Sequence, residues 1–357
     1  MKSRLRVLKS SLAACAILVG GIAWAIPVQA QTTYSGRAFA AFVNTSLTGP
    51  IFITDTGELP PSGGFRSDAL LDTRDLHLAL LDSALTAEVL AASTSGASGV
   101  AESSASLANV RVLPGTSTQV TASFIGARTE ATCAGVQGST EIADLTFGGQ
   151  TIQVPPGGFP ANFTVTIPGV ATLIINEQTI VSRGTYQEIR VNAIHLMVEP
   201  GIVVGPDIVG PAEVILSSAK SDINCGVTTQ PGPCHDFVTG GGWISVGNSR
   251  ANFGFNAGFK GGSTTPDVHL NYIDHDSGRK VKATSITVYV VGRTAATSRH
   301  LEGSAEVDGK TGYTYVVDVD DEGEPGRNDT FSISLNDGYA AAGALDGGNI
   351  QLHKSCQ

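Results

Sequence analysis

Hydrophobic and polar residues alternate along this chain in short runs, and glycine, proline, asparagine and aspartate separate the runs. That period of two belongs to strands with one face buried. The clearest run is "RANFGFNAGFKGG". It places Phe253, Phe255, Ala257 and Phe259 on one face and Asn252, Gly254, Asn256 and Gly258 on the other, which predicts a half-buried strand. "DVHLNYIDHDSGRKVKATSITVYVVG" predicts two strands around "DHDSG", and "HLEGSAEVDGKTGYTYVVDVDDE" two more around "DGKTG". "DTFSISLNDG" and "GNIQLHK" complete a meander. Earlier in the chain, "SGRAFAAFVNT", "TSTQVTASFIGARTEAT", "FTVTIPGVATLIINEQ", "EIRVNAIHLMVE" and "AEVILSSAKSDI" also read as strands. One stretch, "SDALLDTRDLHLALLDSALTAEVLAAST", supports two readings. Leu76, Leu78 and Leu80 alternate as in a strand, whereas "ALLDSALTAEVLAA" is rich in helix formers. Strands are the favoured reading.

The pattern breaks at "CGVTTQPGPC", where Pro231 and Pro233 flank Gly232. The expected fold is all-β with two domains. Residues 31–228 form a β-sandwich-like domain, 229–233 a Pro/Gly linker, and 234–357 an antiparallel β-meander barrel or sandwich.

Residues 1–30 read as a secretory signal peptide. Lys2, Arg4, Arg6 and Lys9 precede an apolar run from Leu12 to Val28, and "VQA" offers a cleavage site before Gln31. Export changes the reading of the cysteines. Cys133, Cys225, Cys234 and Cys356 remain after cleavage, an even number that suggests two disulfides. Three pairings are possible; order along the chain favours Cys133–Cys225 and Cys234–Cys356. The formal net charge of −10 becomes more negative once the leader's cations are gone. Such a surface repels nucleic acid and anionic lipid, so no nucleic-acid partner is expected.

Four stretches are candidates for chemistry. In "DFVTGGGWISV", Gly240, Gly241 and Gly242 precede Trp243. A phosphate loop would need a lysine and a following helix, and neither is present, so the glycines read as close backbone approach within a strand. Trp243 is expected to bury its ring against the Phe253, Phe255 and Phe259 face. "DVDDEGEPGRND" places Asp318, Asp320, Glu322 and Asp329 at spacings that imitate an EF-hand calcium loop. A calcium site on these four residues is the metal candidate, beside the plainer reading of a solvated acidic hairpin; no other cofactor is expected. In "HLNYIDHDSG", His269, His275, Asp274 and Asp276 could be drawn as a metal or acid–base site, but the run is more simply a turn. "NEQT" (Asn176 to Thr179) reads as a hydrogen-bonded turn. No GxSxG and no HExxH occurs, and no catalytic residue is expected.

Residues 31–228 resemble the choice-of-anchor P domain. The resemblance rests on "SGRAFAAF", "SSASLANVRVLPG", "CAGVQGSTEIADLTFGGQTI", "TIPGVATLIINEQT", "RVNAIHLMV" and "AEVILSSAKSDINC". The positions of Cys133 and Cys225 coincide with that pattern. The second domain resembles the one that commonly follows it, through "VTGGGWI", "FGFNAGFK", "HLNYIDHDSGRKVKATSI", "DEGEPGRNDTFSISL" and "GGNIQLH". The resemblance implies a secreted or surface-displayed bacterial protein and supplies no catalytic residues. "QLHKSCQ" carries no apolar segment, so free secretion without a transmembrane anchor after leader cleavage is expected. The expected function is non-catalytic: a secreted or cell-envelope module for structure, adhesion or display toward an extracellular or cell-surface ligand. A calcium- or carbohydrate-binding module and a secreted hydrolase are the alternatives.

Overall fold

A computed structural model describes residues 32–204, 208–226, 236–259, 263, 265–292, 297–323 and 326–353. The leader, the 229–233 linker, Cys234 and Cys356 lie outside the described residues.

The first part of the chain builds β1 (Thr33–Thr45), β2 (Gly49–Asp55), β3 (Gly64–Asp72), β4 (Leu85–Ala97), β5 (Val100–Val112), β6 (Val120–Thr132), β7 (Gly135–Ala143), β8 (Thr146–Phe147) and β9 (Gln150–Thr151). It continues with β10 (Phe163–Ile167), β11 (Ala171–Arg183), β12 (Tyr186–Val198), β13 (Val203–Val204), β14 (Ile208–Val209) and β15 (Ala212–Asn224). The second part supplies β16 (Phe237–Val246), β17 (Ser249–Phe259), β18 (Pro266–Asp274), β19 (Lys280–Val291), β20 (Ser298–Val307), β21 (Lys310–Asp320), β22 (Thr330–Leu335), β23 (Ala340–Ala344) and β24 (Gly347–His353).

Three antiparallel sheets result. The first runs β10-β11-β12-β15-β1-β2, and the second β3-β4-β5-β6-β8-β9 with β7 also on β6. They face each other as a sandwich. Val43, Leu196, Val214 and Leu216 of the first meet Leu90, Leu107, Val110 and Ile125 of the second in one core. At one end the sheets approach through small residues. Ser103 Oγ donates to the Lys220 carbonyl (2.6 Å) and Ser217 Oγ to the Ala105 carbonyl (2.7 Å). This explains the small residues facing each other on β5 and β15: a short hydroxyl from each strand satisfies a backbone carbonyl of the other across a gap too narrow for larger side chains. The Cys133–Cys225 disulfide joins the ends of β6 and β15, and so one sheet to the other.

The third sheet is a nine-stranded meander, β23-β22-β21-β20-β19-β18-β17-β16-β24, curled into a half-barrel. Phe253 and Phe255 point inward, and Phe253 stacks on Phe331 with ring centroids 4.1 Å apart. The end of the β16–β24 pairing is extended by the Asp346 N–H, which donates to the Trp243 carbonyl at 3.0 Å.

Two expectations are corrected. Residues 67–94 are strand at both ends, in β3 and β4 as favoured, but the leucine-alternating middle is not: Thr73–Leu76 is a 3-10 turn and Ala79–Asp82 a single α turn. The Asp72 carboxylate caps the first turn by accepting the Arg74 N–H at 2.9 Å, and Leu76, Leu78 and Leu80 are exposed. Likewise β17 is buried on both faces, with Asn252 and Asn256 nearly inaccessible. Its polar face packs on the outer face of the second sheet, where Ile273 touches Val89 and Ala108. The second sheet is thus covered on both sides.

Candidate functional site

Where the third sheet meets the second, the contact is mostly polar. His275 Nε2 lies 2.8 Å from Asn252 Oδ1 and 3.0 Å from Asn109 Nδ2, and Asn109 Nδ2 donates to Glu88 at 2.7 Å. His269 Nδ1 lies 3.2 Å from Ser67 Oγ and 3.3 Å from Asn256 Oδ1. His353 bonds Glu102 of the second sheet through Nδ1 and Thr239 through Nε2, and stacks on Phe237 at 4.4 Å. Both histidines of "HLNYIDHDSG" therefore clasp the third sheet to the second. Asp274 forms the expected turn, accepting the Asp276 N–H at 2.8 Å.

The second and third sheets part around a cavity of about 1190 Å³. One wall is β4 to β7 and the 154–159 loop; the other comes from β16, β17 and residues 345–349. Gly240 and Gly241 of the glycine run line it. A Cβ on Gly241 would sit 2.4 Å from Ser106 Oγ of the second sheet, and one on Gly242 2.3 Å from the Gly347 carbonyl. The run therefore serves close approach on two sides, as its sequence suggests.

Trp243 is placed differently from the expectation. Along β16 it alternates with the inward Ile244 and pairs with Asn252, so it faces the cavity rather than the Phe253 and Phe255 interior. Its ring lies over Gly347, where a Cβ would come within 1.9 Å of the indole, and its centroid is 5.6 Å from Phe124 of the second sheet. Period-two counting had the right strand, but on β16 Trp243 falls on the face opposite the inward one.

"NEQT" lies within β11 rather than in a turn. Asn176 sits at φ +54°, between the Ile175–Ile194 and Glu177–Asn192 pairs, a local break in the ladder that leaves the register unchanged. Its Nδ2 donates to the Phe159 carbonyl at 2.7 Å, fixing the loop that carries Phe159 to the cavity. The outward Glu177 instead meets His195 Nδ1 at 2.9 Å.

The acidic stretch has separate duties. Asp318 meets His300 (2.7 Å), and Asp320 accepts from Thr297 Oγ1 (2.8 Å). The buried Asp329 accepts the backbone N–H groups of Glu322 (2.9 Å) and Ile350 (2.7 Å), and the Glu322 side chain is exposed. Asp321 accepts the Leu352 N–H at 2.8 Å. Asp321 and Asp329 thus tie β24 to the end of β21. Among the described residues, no three His, Cys, Asp or Glu side chains gather as a metal-holding group.

The clasp titrates. Burial holds His275 below its usual range, partly offset by Glu88, with Arg250 and Lys280 lowering it and Asp274 raising it. Burial pushes the Glu102 carboxyl up, but His353 more than offsets this and leaves it below its usual range. A histidine depressed in the fold contributes stability above its unfolded value, about 6.5, that is lost as pH falls. A depressed carboxylate adds a second loss at lower pH. His195, raised despite burial by its bonds to Glu177 and Glu213, runs the other way and loses its contribution as pH rises. Melting curves between about pH 7.5 and pH 5 should show the His275→Gln variant losing less stability on acidification than the wild type. Parallel curves would reject the assignment.

No family model matches this chain, and no curated protein matches it. Among solved structures, a "putative AttH" from Nitrosomonas europaea aligns over 95% of this chain and 99% of its own, at 10% identity and a TM-score of 0.21. A likeness that weak carries no argument.

Proposed function

We propose that this chain is an exported, non-catalytic binding protein whose ligand occupies the cavity between the second and third sheets. The observation that carries the reading is the cavity wall itself. Trp243 is held over Gly347 beside a glycine run, and Asn176 fixes the facing loop, so the cavity is shaped before any ligand arrives. The Cys133–Cys225 disulfide fits a non-cytoplasmic compartment. Among the described residues no helix is long and apolar enough to cross a membrane. Secretion and the choice-of-anchor P resemblance, both read from sequence, are consistent with a ligand met outside the cell.

A thermal-shift screen of a metabolite library tests this. A ligand at a hundred times its Kd should raise stability by about 2.7 kcal/mol. Ser139 is exposed at the cavity rim, so Ser139→Trp can narrow the cavity without disturbing the core. That variant should melt like the wild type alone and lose the ligand's shift. A shift that survives Ser139→Trp and Trp243→Ala alike would move the ligand elsewhere.

A further inference from the structure

We propose that the cavity takes a neutral oligosaccharide, stacked on Trp243 and hydrogen-bonded by Asn256 and the surrounding carboxylates. The proposal rests on the cavity being the ligand site and names the class of ligand.

Three observations converge. The first is the indole. Gly347 lies against the ring, Phe124 stands 5.6 Å from its centroid, and the half-buried Trp243 lines the cavity, so part of its apolar ring meets the space a ligand fills. An aromatic face of this kind accepts the C–H face of a sugar ring at little entropic cost, because packing already fixes the side chain. The second is Asn256. It lines the cavity and is 2% exposed, yet its Nδ2 has no hydrogen-bond partner, while Oδ1 is engaged by His269. An unpaired buried amide donor is costly and calls for an oxygen acceptor. The third is the charge of the walls. Arg128 and Arg327 stand against Glu141, Asp144 and Asp346, so neither sign dominates.

This lining argues against the other large class of cavity ligand. A hydrocarbon chain would remove water from serines, carboxylates and guanidinium groups without replacing its hydrogen bonds. A charged ligand of either sign would face like charges on part of the wall. A sugar meets both sets of groups: its C–H face covers the indole, and its hydroxyls both donate to carboxylates and accept from amide and guanidinium N–H groups. At about 1190 Å³ the cavity exceeds the roughly 300–1,000 Å³ of sites for drug-sized ligands, which suits several linked rings.

The test uses the full mature chain. Trp243 emission and calorimetry are followed during titration with short cello-, xylo-, malto- and chito-oligosaccharides, with palmitate as the apolar contrast. At least one saccharide series should bind and change Trp243 emission. Trp243→Ala and Asn256→Leu should each weaken it about tenfold or more, with Trp243→Phe retaining part of the affinity. Circular dichroism and melting establish that each variant is folded, and Trp243→Phe keeps the test valid if Trp243→Ala unfolds. Palmitate binding that the Trp243 variants weaken, with no saccharide bound, overturns the ligand class and leaves the cavity as the site. Saccharide binding indifferent to Trp243 and Asn256 overturns the placement. No binding in any arm, together with no hit in the metabolite screen, overturns both.

Discussion

Replacing Cys133 and Cys225 together by serine is expected to lower the stability of the sandwich by about 4 kcal/mol, equivalent to roughly 10 °C in melting temperature. The two residues are separated by 92 positions, so the bond closes a long loop and restricts the unfolded chain strongly. They follow β6 and β15 directly, one in each sheet of the sandwich. Beneath them Ala101, Ala131 and Ile223 pack against Cys225 and Tyr34. Small residues at this end bury little area, so the covalent link matters more here than beside the leucine-rich centre. Denaturant unfolding of the mature chain, with and without reductant, measures the effect. A loss under about 1 kcal/mol would mean that the unfolded chain keeps the two ends close by other means.

Gly348→Ala is expected to cost about 4 kcal/mol and to loosen the pairing of β24 with β16. Gly348 has φ +102°, and a Cβ there would stand 2.1 Å from the Gly241 carbonyl oxygen and 2.3 Å from Gly242 Cα. Those neighbours are backbone, so no side-chain rotation relieves the clash. Relief would require β24 to move off β16, breaking the bond from the Gly348 N–H to Glu141 (2.8 Å) and the ties from Asp321 and Asp329. Gly338→Ala separates the two causes. Gly338 also has a positive φ, +93°, but a Cβ there meets nothing within 4 Å, so it should cost only about 1–2 kcal/mol of backbone strain. Equal losses in the two variants would remove the close approach as the reason for glycine at 348.

Glycine 348 also shows why the run at 240–242 could be recognised but only half explained from sequence. Consecutive glycines in a strand announce that something comes close. Which partner comes close is a matter of register: Gly347 and Gly348 arrive from the last strand, and Ser106 from the second sheet. Trp243 and Asn256 carry the same lesson. Alternation places each on a strand and on one of its two faces. It does not say that the polar face of β17 is covered, because asparagine and glycine are also what an exposed face would show.

By itself the sequence determined the all-β class and most of the strands, through the period of two and the turn residues between runs. It also favoured the Cys133–Cys225 pairing by order along the chain. These are local properties, carried by backbone geometry and by residues near one another. The tertiary structure alone decided that the second sheet is covered on both faces, that His269, His275 and His353 clasp the third sheet to the second, and that Trp243 faces a cavity. It also decided that Asp321 and Asp329 tie the last strand in place. Each of these joins residues from strands far apart in the chain, and hydrogen bonds and close packing depend on where such strands meet in space, which no spacing within one segment encodes.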